Sequence, residues 1–82
     1  KHDIVFLGQL DNGLGFYRFA YKGSRKQYVG VMAQEAVRVM PHAVTRDEQG
    51  YLRVRYEQLG LKFQTYDQWI ASGGQLPKTI GH

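Results

Sequence analysis

The chain has 82 residues, eleven basic against seven acidic, a net charge of +4, and no cysteine. Length allows one domain with a small core, since a chain of this size buries only roughly 60–65% of the surface it exposes when unfolded. A composition 43% hydrophobic and 13% aromatic excludes a disordered chain, and the lack of cysteine excludes disulfides and thiolate metal sites.

In chain order, Ile4-Val5-Phe6-Leu7 reads as a short first strand or extended segment closed by Gly8, and Asp11-Asn12-Gly13 is a turn. Phe16 to Tyr21 follows as a strand whose alternate residues Tyr17, Phe19 and Tyr21 place three rings on one face. Lys22-Gly23-Ser24 turns the chain, and Gln27 to Val31 returns as the second strand of a hairpin. Ala33, Ala36, Val37 and Met40 recur with helical spacing, and Pro41 ends that helix near Val39 or Met40. Val44-Thr45-Arg46 pairs with Tyr51 to Tyr56 across the turn Asp47-Glu48-Gln49-Gly50; Leu52, Val54 and Tyr56 point one way, Tyr51, Arg53 and Arg55 the other.

Tyr56, Leu59, Phe63, Tyr66 and Ile70 are spaced three, four, three, four, the seam of a short coiled coil. The helix ends near Ser72 and starts between Glu57 and Thr65; Gly60 disfavours a continuous helix, and Thr65 with Gln68 fits the cap of a shorter, separate one. The expected fold is α+β: small antiparallel hairpins packed on one short helix (about 33–40), then a short C-terminal helix that associates as a trimer. Residues 1–72 form the domain, and residues 73–82 a flexible tail with little to pack against. No apolar run is long enough to span a membrane.

Catalytic patterns are sparse. His2, His42 and His82 lack ligand spacing, so no metal or other cofactor is expected. Ser24 and Ser72 lie in no nucleophile motif, and Glu35 reads as a carboxylate stabilising a helix N-terminus. The rings of Tyr17, Phe19 and Tyr21 with Arg18, Arg53 and Arg55 offer an alternative function, a basic nucleic-acid-binding module without catalytic activity. Core packing is the simpler use of those rings in a domain this small, and nucleic acid is not the expected partner.

Taken together, Leu10-Asp11-Asn12-Gly13-Leu14 leading into Tyr17 to Tyr21, Tyr28-Val29-Gly30-Val31-Met32-Ala33-Gln34-Glu35, Pro41-His42-Ala43-Val44 and Gly50 to Tyr56 with Leu59 resemble the endosialidase-type intramolecular chaperone domain, the peptidase S74 family of phage tail spikes and fibres. The resemblance covers residues 1 to 60, with Gly30, Gln34, Glu35, Tyr51 and Tyr56 as its structural signature. It implies a homotrimer that assists assembly of an upstream fibre or spike domain, with Tyr56, Leu59, Phe63, Tyr66 and Ile70 as the association residues. It places the protein on a virion tail or cell-surface fibre.

The resemblance further implies self-cleavage before a serine in a Ser-Asp-x-x-Leu-Lys motif, the lysine five residues later acting as base. Lys1 followed by Asp3-Ile4 resembles the end of that motif, which makes Lys1 the candidate base and puts the serine upstream of the sequence given; the competing reading is an ordinary solvated lysine. The short C-terminal segment departs from the long assembly helices of the phage members.

Overall fold

A computed structural model describes residues 1–79; His82 and the last residues of the expected tail lie outside the described residues. Strands β1 (His2–Gln9), β2 (Gly15–Ala20) and β3 (Gln27–Gly30) form an antiparallel meander. The first turn is held by Asn12, whose side-chain oxygen accepts from the Leu14 amide at 3.0 Å, a local bond that lets asparagine close turns. The second turn is closed by the Ser24 amide donating to the Tyr21 carbonyl at 3.0 Å.

Helix α1 (Ala33–Val39) ends as proline requires: the Met40 amide donates to the Ala36 carbonyl at 2.7 Å, and Pro41 opens a short 3-10 turn, Pro41–Ala43. Of the expected apolar stripe, Ala36 and Met40 are buried while Val37 is exposed. With only seven residues, the helix turns one narrow edge inward, and Val37 falls on its flank.

Strands β4 (Val44–Arg46) and β5 (Leu52–Val54) make a separate two-stranded ribbon. Its turn is organised by Asp47, whose carboxylate accepts from the amides of Gln49 (3.0 Å) and Tyr51 (2.9 Å) and from Arg53 Nε at 3.1 Å. Partial desolvation pushes that carboxyl up, but the hydrogen bonds from Tyr51, Arg53 and Gln49 outweigh it and hold it below its usual value.

The continuous seam does not form. The chain makes a single turn of helix, α2 (Tyr56–Leu59), and stops at Gly60, which is left-handed at φ 73°. The Gly60 amide donates to the Glu57 carbonyl and the Leu61 amide to that of Tyr56, the bond pair of a Schellman cap, so the glycine ends a helix instead of weakening its middle. Gln64–Thr65 then adds a fourth strand, β6, to the sheet, giving the order β1-β2-β3-β6. Thr65 starts α3 (Tyr66–Ala71) with a capping box: its hydroxyl accepts from the Gln68 amide while Gln68 Oε1 accepts from the Thr65 amide.

The main core joins Leu14, Phe16, Val29, Val31, Ala36, Leu59 and Trp69. The segment after α3 packs more than a loose tail would. Trp69 Nε1 donates to the Gln75 carbonyl at 2.8 Å, Leu76 lies against Gly8, and Thr79 donates to the Asp11 carboxylate through both its amide and its hydroxyl. Those bonds lower the Asp11 carboxyl below its ordinary value. Among the described residues, no helix is long and apolar enough to cross a membrane.

Candidate functional site

The two faces of β2 carry different chemistry because side chains alternate along a strand. Phe16, Arg18 and Ala20 share one face with Val29, which pairs directly with Arg18. Trp69 packs against Phe16 here, ring centroids 5.6 Å apart, and the Arg18 guanidinium lies 5.1 Å from the centre of the Tyr66 ring. Arg18 Nε is buried with no hydrogen-bond partner among the described residues, and the Tyr66 ring face offers its charge a cation–π contact.

On the other face stand Tyr17, Phe19 and Tyr21, joined across the ladder by Tyr28, which pairs with Phe19. Tyr28 stacks on Phe63 at 5.2 Å and 14°, and Phe63 meets Tyr56 edge-on at 5.5 Å. Polar groups are placed around these rings. Lys1 Nζ lies 4.3 Å from the centre of the fully buried Phe19 ring and donates to the Val31 carbonyl at 3.3 Å. The Tyr56 hydroxyl accepts from the Val31 amide at 3.2 Å, so one residue of backbone ties both groups to the sheet.

Gly30 makes this possible. It lies opposite Tyr17 in the ladder, and a Cβ there would collide with the Tyr56 hydroxyl. Glu35, at the start of α1, closes the far end: its carboxylate accepts from the Gly15 amide at 3.1 Å and from the Tyr17 hydroxyl at 2.5 Å. Its two oxygens therefore bridge helix to strand, a more specific role than compensation of a helix end.

Beside Lys1 opens a cavity of about 720 Å³ lined by Tyr21, Tyr51, Arg53, Tyr56 and Phe63. A second of about 610 Å³ adjoins Lys1, Tyr21, Gln34 and Tyr51. Lys1 is exposed as a residue, yet its ammonium end folds down onto Phe19, and that desolvation lowers its pKa from the ordinary lysine value. Burial pushes the Tyr56 phenol the other way, up to about 12, against the opposing hydrogen bond from Val31. Hydrogen bonding to Glu35 raises the Tyr17 phenol, and desolvation raises that of Tyr21. A lysine held this way gives up its proton more readily than one in water, as a general base must.

A family model described as chaperone of endosialidase matches residues 3–45, more than half of the chain and the whole course from β1 into β4. The chain belongs to the chaperone of endosialidase family. No curated protein and no solved structure matches it.

Among the residues of this chaperone domain singled out from sequence, Lys1 and Tyr51 line both cavities, Tyr56 the first and Gln34 the second, with Gly30 buried beneath the Tyr56 hydroxyl, while Glu35 acts at Tyr17. Tyr56, Leu59, Phe63, Tyr66 and Ile70 do not share one helical stripe. Leu59 is wholly inside its own core, Tyr56 and Tyr66 are partly covered, and Phe63, in the loop before β6, and Ile70, on α3, are exposed.

Neither serine stands at Lys1: Ser24 accepts from the Lys26 amide, and Ser72 donates to the Trp69 carbonyl at 2.8 Å. His2 contacts Asp3 at 3.0 Å, and His42 is exposed in the 3-10 turn. Among the described residues, no group of histidines and carboxylates is placed to hold a metal ion.

The arginine and aromatic platform assembles only in part: Arg18 faces away from Tyr17 and Phe19, while Arg53, paired with Asp47, lines the cavity beside Tyr21. Sequence reasoning missed Asp47 as the organiser of its turn and Val31 as the backbone anchor of the site. An aspartate opening a turn was a usable signal for the first; a backbone carbonyl leaves none.

Proposed function

We propose that this chain is a C-terminal intramolecular chaperone and trimerisation module of a tail-fibre-like protein, and that Lys1 is the base of a serine–lysine self-cleavage in the longer parent chain. Residues 1–72 act as the chaperone unit, and its partners are two further copies of itself and the fibre or spike segment preceding it.

The observation that carries the reading is the Lys1 ammonium, desolvated over Phe19 at the mouth of a cavity, two residues before the segment that matches the family. In the proposed reaction the neutral Lys1 amine takes the proton from the upstream serine hydroxyl, whose oxygen attacks the preceding peptide carbonyl; the C–N bond to that serine breaks as its nitrogen takes the proton back from Lys1, and water then hydrolyses the resulting ester to release the two chains. Trimerisation holds three chains in register and raises the local concentration of their upstream segments.

Surface is available for this association. Phe63 and Ile70 expose 44% and 49% of their area, and Ile4 and Phe6 on the edge strand β1 expose 49% and 60%. Tyr56, Leu59 and Tyr66 support such an interface from beneath.

Sedimentation equilibrium tests the assembly. The expected result is three times the 9.4 kDa chain mass, falling to one on Phe63→Glu with Ile70→Glu. A monomer at high micromolar concentration, or a trimer indifferent to both substitutions, contradicts it.

A further inference from the structure

Lys1 reaches Phe19 only because strand β1 is irregular. Residues directly opposite in a ladder share a face, so Phe6, paired with Tyr17 and in ring contact with it at 5.6 Å, lies on the Tyr17 and Phe19 face. Lys1 is an odd number of residues from Phe6. In an unbroken strand it would therefore stand with Val5 on the opposite face, the face of Arg18.

The ladder is not unbroken. Val5 pairs with Arg18 but His2 pairs with Ala20, so β1 uses one residue more than β2 over that interval. One inserted residue inverts the face of everything beyond it. His2 comes to share the face of Ala20, and Lys1 turns onto that of Phe19.

Within this bulge Asp3 has φ 54°, the one non-glycine residue with positive φ among the described residues. Aspartate tolerates this left-handed conformation better than most residues, and β-branched residues tolerate it least.

We propose that Asp3 is a positioning residue for the Lys1 amine: its left-handed backbone makes the bulge that delivers Lys1 from the outer face of β1 to the aromatic one. This rests on the reading of Lys1 as the base, but the positioning can be measured without cleavage. The carboxylate is not what matters. Among the described residues the Asp3 carboxylate's one side-chain hydrogen bond is to the neighbouring His2, and glycine, which adopts φ near 54° freely, can replace it. The Asp3 backbone decides the register; Phe19 and Val31 then hold the amine that arrives.

The test follows the Lys1 side chain by NMR in the 82-residue chain. Wild type and Asp3→Gly are expected to show cross-peaks from the Lys1 ε-methylene to the Phe19 ring and its ring-current upfield shift. In Asp3→Val both are expected to vanish, while the amide pattern of β2 and β3 stays dispersed. Persistence of the contact in Asp3→Val, or its loss in Asp3→Gly, overturns the proposal.

In the upstream-extended parent, self-cleavage should follow the same order, retained in Asp3→Gly and slowed in Asp3→Val. A parent that stays intact in wild type removes the base reading of Lys1, whereas the NMR comparison still decides the positioning.

Discussion

The two faces of the four-stranded sheet solve different problems with similar residues. On one, Phe16 and Val29 meet Trp69 of α3 in a closed core beside which the Arg18 cation lies against Tyr66. On the other, Phe19 and Tyr28 are covered by single side chains that come from distant parts of the chain, Lys1, Tyr56 and Phe63. The first face is closed by a helix and serves stability. The second is closed piecemeal, stays open at its rim, and shifts the pKa of Lys1 down and of Tyr56 up.

The largest expected effects come from removing the central ring of each face. Trp69→Ala and Phe19→Ala should each lower the unfolding free energy by about 3–5 kcal/mol in denaturant titrations. The difference lies at Lys1: only Phe19→Ala should return its amine toward the ordinary lysine pKa, by NMR titration. Equal effects of the two on Lys1 would erase the distinction between the faces.

Alkaline stability sharpens it further. The folded-state pKa of Tyr56, about 12, lies above its ordinary value of 10.0, so the folded state binds more protons between those limits. Its contribution is fully present below pH 10.0 and is lost as pH rises toward 12, up to roughly 2–3 kcal/mol. Lys1 works in the opposite sense: its lowered pKa makes stability rise with pH between that lowered value and 10.5. Tyr56→Phe should flatten most of the fall above pH 10.0, and an unchanged fall would place it elsewhere.

The smallest effect expected is steric. Gly30→Ala should destabilise by about 1–3 kcal/mol as the new methyl meets the Tyr56 hydroxyl. Combined with Tyr56→Phe it should cost less than the two changes summed, because the phenol oxygen is the closest obstacle. Strict additivity would mean that Gly30 is required for another reason.

Legibility in the sequence followed the range of the interactions. The hairpin β2–β3, the ribbon β4–β5 and the proline-terminated α1 were readable because alternation, turn residues and proline act locally. Gly30 was readable as punctuation, but its reason, the Tyr56 hydroxyl, lies far along the chain. The seam from Tyr56 to Ile70 misled because three-four spacing describes a helix only if one exists. Gly60 ends it after one turn, and the pairing of Gln64 and Thr65 with Val29 and Tyr28 draws the next residues into the sheet. The turn of Lys1 onto Phe19 was least legible of all, since it depends on one extra residue in a ladder.

The most direct test of the account is mass spectrometry of the upstream-extended parent chain, wild type against Lys1→Arg. Arginine keeps the positive charge but cannot lose its proton at any ordinary pH. The account predicts a smaller product beginning at the upstream serine in wild type and an intact chain in Lys1→Arg; the same cleavage in both would contradict it.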